Sequence, residues 1–113
     1  MTKLALTILL MFSTLFLCAQ ENRFAMNRSQ NAVKLITSQM QISENNVDFL
    51  QQTLYNKYTS NIEKIRGKGL SNEAKQQIYR EAAKKTKGIL MTVFTKEEVM
   101  KIIKLEKESF EKN

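Results

Sequence analysis

The stretch that decides the fold is residues 44–66, which read ENNVDFLQQTLYNKYTSNIEKIR. Its large apolar side chains recur three or four positions apart, the spacing that places them along one face of an α-helix; they are Val47, Leu50, Leu54, Tyr58, Ile62 and Ile65. Polar and charged residues occupy the opposite face. The pattern predicts an amphipathic helix of roughly 33 Å, at about 1.5 Å per residue, with Ser43 as its N-cap.

Gly67 and Gly69 end this first helix. Two further helices are predicted on its C-terminal side. A helix over about 72–93 starts at Ser71 or Asn72. Its two neighbouring apolar rows make a wide stripe, which predicts a central position in the fold, and Gly88 within it predicts a close approach or a slight bend.

The last helix is predicted over about 96–111. Thr95 and Glu98 have the spacing of a complete capping box, in which each side chain accepts a hydrogen bond from the other residue's backbone N–H. Residues 20–41 are predicted to be less ordered or to form a short helix. No segment alternates with period two, so the fold class is all-α: three to four amphipathic helices in a helical hairpin or small bundle, with a homodimer left open.

Residues 1–19 have the layout of a secretory signal peptide. Lys3 is followed by an apolar run over residues 4–17 and then by Cys18-Ala19-Gln20. The run is short of the ~20 apolar residues that a spanning helix needs. We expect cleavage after Ala19, which makes 20–113 a single exported domain in the periplasm or outside the cell. Acylation at Cys18 and an uncleaved anchor remain alternatives, because the bulky Leu17 suits neither processing rule well.

The exported part lacks the side chains of common active sites. Removal of residues 1–19 takes away Lys3 and the only cysteine, leaving 17 Lys and Arg against 11 acids and a formal charge of +6. No histidine, tryptophan or proline occurs anywhere in the chain. Without His or Cys there are no usual nucleophile–base pairs and no soft-metal ligands. We expect no enzyme activity, no catalytic residues, no cofactor and no metal site.

A set of basic residues is the candidate surface for an acidic client or another anionic partner. Arg80, Lys84 and Lys87 share one helix face, and Lys101 and Lys104 follow on the next helix. The alternative is an ordinary solvated helix face. Export argues against nucleic acid as the partner. The methionines also have two interpretations: they form an adaptable binding surface, or they fill gaps in a small core.

Two of the predicted helix starts resemble the repeated Leu-Thr-x-x-Gln signature of the Spy/CpxP-type periplasmic proteins. They are Ile42-Ser43-Glu44-Asn45-Asn46 and Phe94-Thr95-Lys96-Glu97-Glu98, and the resemblance spans about residues 42–108. It implies ATP-independent chaperoning or envelope-stress sensing by a cradle-shaped helical dimer whose concave face is basic and partly apolar.

The leading functional hypothesis is an exported, non-enzymatic helical protein that binds unfolded clients. Its basic face would attract the client, and methionine and aromatic side chains would then contact it. Two other hypotheses remain. One is a dedicated partner-binding or inhibitory subunit of the envelope, and the other is a helical protein that associates with a membrane surface through the basic helix.

Overall fold

A computed structural model describes residues 22–111, and this part of the chain is all-helical. Four helices follow one another: α1 (Arg23–Gln39), α2 (Glu44–Ile65), α3 (Asn72–Leu90) and α4 (Lys96–Glu111). The prediction of a small all-α bundle is therefore confirmed. The predicted signal peptide, with Cys18 and its processing alternatives, lies outside the described residues.

Serine side chains cap the starts of α2 and α3. The Ser43 hydroxyl accepts a hydrogen bond of 3.4 Å from the backbone N–H of Asn46. The Ser71 hydroxyl accepts one of 3.2 Å from the N–H of Ala74, so Ser71, rather than Asn72, is the N-cap of α3. Each bond satisfies one of the N–H groups that the first turn of a helix leaves without an intrahelical partner.

The start of α4 contains both hydrogen bonds of a capping box. The N–H of Glu98 donates to the Thr95 hydroxyl at 3.2 Å, and the N–H of Thr95 donates to Oε1 of Glu98 at 2.9 Å.

Two glycines follow the C-terminal end of α2. Gly67 and Gly69 have φ angles of 72° and 59°. These left-handed conformations are the ones that glycine adopts without steric cost.

The helices pack as an up-and-down bundle with α1 and α2 in the middle. α1 packs against α2 and α4, and α3 packs against the outer side of α2. Side chains of α4 also reach α2. The buried apolar core is drawn mainly from α1, α2 and α4; its members are Ala25, Ala32, Val33, Ile36, Leu50, Leu54, Tyr58, Leu90, Phe94, Val99, Ile102 and Leu105.

The prediction that the third helix is central is wrong. Within α3 only Thr86 and Leu90 are buried, whereas Tyr79 and Ile89 remain exposed. The sequence stripe was wide partly because it counted alanines, and these small side chains bury little apolar area. The helix also ends at Leu90, three residues before the predicted terminus.

A turn over residues 91–94 explains the early end of α3. The N–H of Phe94 donates to the carbonyl of Leu90 at 2.8 Å, and the Thr92 hydroxyl donates to the carbonyl of Ile89 at 2.6 Å. Phe94 thereby turns into the core, where its ring centroid lies 6.3 Å from that of Phe49. Apolar contact with α2 is thus made by the turn as well as by the helix.

Gly88 does not mark a close approach. A Cβ atom placed on it would meet nothing within 4 Å, and the residue is exposed. The expectation that glycine here permits tight packing is therefore wrong.

The N-terminal helix is longer than the sequence pattern indicated. α1 has 17 residues and covers most of the segment 20–41, which was expected to be less ordered or to form a short helix. Its buried face contains Ser29, whose hydroxyl accepts a 2.6 Å hydrogen bond from Nε2 of Gln51 on α2. This contact ties the first half of α1 to α2, which the local sequence could not indicate.

No helix between residues 22 and 111 is long and apolar enough to cross a membrane.

Candidate functional site

An open groove of about 650 Å³ lies at the end of the bundle where the described chain begins. The second half of α2 and the middle of α3 form its long walls, while the start of α1 and the end of α4 close one side. Its lining is mostly apolar or aromatic, with three cations and one amide: Phe24, Arg28, Lys57, Tyr58, Asn61, Ile62, Ile65, Arg66, Tyr79, Ala83 and Phe110.

A buried carboxylate lies behind the groove. Glu106 on α4 is only 4% exposed, and its Oε2 accepts a 2.5 Å hydrogen bond from the hydroxyl of Tyr58 on α2. Nζ of Lys57 lies 3.1 Å and 3.3 Å from the two carboxylate oxygens. The charge of Lys57 is therefore compensated by Glu106, and a buried ion needs such a partner.

The Tyr58 hydroxyl is held in its protonated form. Burial raises the pKa of Tyr58 far above its ordinary value of 10.0, and the neighbouring Glu106 carboxylate raises it further, both through its charge and as hydrogen-bond acceptor. The Arg28 guanidinium opposes these effects and lowers the pKa. Tyr58 is thus a fixed hydrogen-bond donor at neutral pH, and it is not a candidate general base.

Arg28 stands at the mouth of the groove between two aromatic rings. Its guanidinium carbon lies 4.2 Å from the centroid of Phe110 and 5.5 Å from that of Phe24. Among the described residues no carboxylate and no hydrogen-bond acceptor partners its N–H groups. Stacking on an aromatic ring uses the face of the guanidinium, so the in-plane N–H donors stay available.

A second cavity of about 390 Å³ adjoins the same arginine. It shares Phe24, Arg28 and Phe110 with the groove and adds the amide side chains of Asn27 and Asn31. Arg28 and Phe110 therefore form a common wall, with a mostly apolar cavity on one side and a smaller cavity bearing amides on the other.

Asn61 lines the groove and has one unpartnered polar atom. Its Oδ1 is buried out of contact with solvent and has no hydrogen-bond partner within residues 22–111. Buried polar atoms are nearly always hydrogen-bonded in folded proteins, so this oxygen is an exception within the bundle.

The predicted basic residues lie elsewhere. Arg80 and Lys84 on α3 and Lys101 and Lys104 on α4 are exposed, and Lys87 is half-buried. None of the five lines the groove. α3 packs against α2 and α4 against α1, so the two groups stand on helices that are not direct packing partners. Their role as a client surface stays a prediction.

Large apolar side chains are exposed at the C-terminal end of α3 and at the start of α4, close in sequence to Lys87 and Lys101. Ile89 and the turn residues Met91 and Val93 are 38% to 42% exposed, and Met100, in the first half of α4, is 49% exposed. We call these four residues the turn surface. Gap-filling in the core, one of the two alternatives for the methionines, is therefore wrong for Met91 and Met100.

The sequence pattern did not single out Arg28, Tyr58 or Glu106 as site residues. Glu106 carried a recognisable signal: it lies four positions after Ile102 and seven after Val99, on the apolar face of α4. A single acid on such a face indicates a buried partner of opposite charge. Arg28 is one helical turn after Phe24, but its contact with Phe110 spans the chain and has no local signature.

These features define a small helical protein with a cationic, aromatic groove. Within residues 22–111 no three His, Cys, Asp or Glu side chains cluster so as to hold a metal ion. No family model, no curated protein and no solved structure matches the chain. The functional conclusion therefore depends on the surfaces themselves.

Proposed function

We propose that this chain is an exported, non-enzymatic binding protein that holds apolar segments of unfolded polypeptides, as a chaperone does. One observation supports it above the others: the turn surface exposes two methionines, a valine and an isoleucine beside cationic helix faces. Flexible methionines suit a surface that must accept many sequences, and three of the four side chains follow closely in sequence where α3 ends. The resemblance to the Spy/CpxP-type proteins agrees with this proposal.

Binding proceeds in two stages in this proposal. The surplus of positive charge attracts acidic clients over a distance of about 10 Å, the screening length at moderate salt. Arg80, Lys84, Lys87, Lys101 and Lys104 supply that field on α3 and α4. The turn surface then contacts apolar client segments. A weak, adaptable contact of this kind allows release without ATP.

The test is an aggregation assay with protein purified after export. At a one-to-one ratio, it should slow the light-scattering increase of a reduced, unfolding client protein. Replacing Arg80, Lys84 and Lys87 by Gln should weaken the effect and make it less sensitive to salt. The matched control replaces the exposed Lys34, Lys64 and Lys68 by Gln, which changes the net charge equally. No protection at stoichiometric protein, or equal loss in both variants, would refute the proposal.

A second candidate is a subunit dedicated to one envelope partner. The groove favours it, because a cavity with one stacked arginine offers a directional contact that a promiscuous surface does not need. Affinity capture from the envelope separates the two: one stoichiometric partner supports the dedicated subunit, and many substoichiometric proteins support the chaperone.

A further inference from the structure

We propose that the groove is a binding site for a small amphiphilic carboxylate, whose apolar body fills the cavity and whose carboxylate pairs with Arg28. This site lies apart from the turn surface and does not depend on the chaperone proposal. The class of ligand follows from three properties of the site: its size, the charge of its lining and the state of its polar groups.

The size fits a small molecule. Ligand cavities for such compounds usually measure about 300–1,000 Å³ and are lined by apolar and aromatic side chains with a few convergent polar groups. The groove, at about 650 Å³, lies inside that range. Tyr79 and Ala83 on α3 face Ile62 and Ile65 on α2 across it, and they offer an elongated alkyl or aryl group apolar surface on two sides.

The charge of the lining selects an anion. Arg28, Lys57 and Arg66 line the groove, and none of the acidic side chains within residues 22–111 does. Glu106 compensates only Lys57, with which it forms an ion pair at 3.1 Å. Two cations therefore remain without a counter-ion, and Arg28 is the one enclosed between rings. A cationic or neutral amphiphile of the same shape would gain nothing from them.

The aromatic contacts of Arg28 favour the binding of a carboxylate. Contacts with Phe110 and Phe24 restrict the position of its guanidinium, which reduces the ordering that binding would otherwise require. Its free N–H donors have the fork geometry that matches the two oxygens of a carboxylate. The adjoining cavity provides the amides of Asn27 and Asn31 as further donors beside the same guanidinium.

The experiment is calorimetric titration of the full exported protein with decanoate, kept below its micelle concentration, and with decyltrimethylammonium as the matched cation. Decanoate should saturate at one per chain, whereas the cation should bind at least tenfold more weakly. Arg28→Gln should weaken decanoate by about tenfold or more, since a charge-assisted hydrogen bond is lost. Arg23→Gln, an equal change of charge at an exposed position outside both cavities, should leave binding unchanged.

A second variant keeps the proposal testable if Arg28→Gln loses helicity. Ala83 is exposed and lines the groove, so Ala83→Phe fills the cavity with little effect on folding and should abolish decanoate binding. Methyl resonances of Ile62 and Ile65 should shift on titration, while those of the buried Ile36 should not.

Three results would overturn the proposal. The first is no saturation below the micelle concentration, and the second is unchanged affinity in both Arg28→Gln and Ala83→Phe. The third is saturation by an acidic amphipathic peptide or by anionic vesicles, with the same dependence on Arg28, when decanoate does not bind. That last result would assign the groove to a protein or a membrane surface. Aggregation assays do not enter any of these outcomes, so this proposal and the chaperone proposal can fail separately.

Discussion

The hydroxyl of Tyr58 donates a 2.5 Å hydrogen bond to the carboxylate of Glu106 and so joins the second half of α2 to the end of α4. The ring of Tyr58 also meets that of Phe110 edge-on, with centroids 5.7 Å apart. One side chain thus connects the buried charge pair behind the groove to the ring on which Arg28 stacks. The ion pair between α2 and α4 is therefore connected to the proposed carboxylate site through the contacts of Tyr58, Phe110 and Arg28.

Replacing Glu106 by Gln should lower the free energy of unfolding by about 2 kcal/mol. The amide can still accept the hydrogen bond from Tyr58, but Lys57 is left without a compensating charge at a side chain that is only 17% exposed. Urea denaturation at neutral pH measures the change. Glu111→Gln is the matched control, because Glu111 is exposed at the end of the same helix, and it should change stability by less than about 0.5 kcal/mol.

Lys57 and Glu106 should also show an energetic coupling in a double-mutant cycle. Lys57→Met alone leaves Glu106 buried without its cation, whereas Lys57→Met combined with Glu106→Gln removes both charges. The double variant should therefore lose less stability than the sum of the two single losses. Strict additivity would mean that the ion pair contributes nothing to folding.

Tyr58 should make the fold sensitive to alkaline pH. Its pKa is raised in the folded state, so the folded protein holds this proton more tightly than the unfolded chain does. The resulting stability is complete below about pH 10, the ordinary value for tyrosine, and is lost as pH rises further, by up to about 1.4 kcal/mol per pH unit. Urea titrations from pH 8 to 11 should show the decline.

Comparison with Tyr58→Phe isolates this group from other titrations. The variant lacks the hydrogen bond to Glu106 and should be less stable than the parent at pH 8 by about 1–2 kcal/mol. The difference should shrink as pH rises above about 10, because only the parent then loses stability through this hydroxyl. A difference that stays constant up to pH 11 would contradict the assignment.

The helices themselves were predictable because their signals are local. The spacing of apolar side chains over 44–65 and the capping box at Thr95 and Glu98 depend on residues within one or two turns. The buried face of α1 was harder to recognise because Ala25 and Ser29 belong to it, and neither is a strong apolar marker. Their burial depends on α2, which covers them.

The groove was not predictable for the same reason. Arg28 stacks on Phe110 across most of the described chain, and Glu106 pairs with a lysine 49 positions away. A pattern within one helix cannot indicate which face of another helix will meet it. The basic residues of α3 attracted attention as a run along one face, yet the groove arginine that stacks on Phe110 stands on α1.

Gly88→Ala should stabilise the fold by about 1 kcal/mol, since alanine is the better helix former by about that amount. The new Cβ atom meets no neighbour within 4 Å. In a domain of this size the melting temperature should rise by roughly 4–8 °C. Gly69→Ala is the informative counterpart: its surroundings are equally open, but its φ of 59° disfavours any residue with a Cβ, so that variant should melt at a lower temperature. Equal shifts in both variants would exclude this explanation.

The capping box at the start of α4 can be tested by removing one carboxylate at a time. Glu97→Ala and Glu98→Ala take the same charge from the same first turn, but only Glu98 accepts the hydrogen bond from the N–H of Thr95. The two variants share the loss of a favourable interaction with the helix dipole, about 0.3–1 kcal/mol. Glu98→Ala should cost a further ~0.5–1 kcal/mol, and the amide of Thr95 should exchange its hydrogen faster in that variant alone. Equal unfolding free energies for the two variants, with equal exchange at Thr95, would show that the box contributes only through charge.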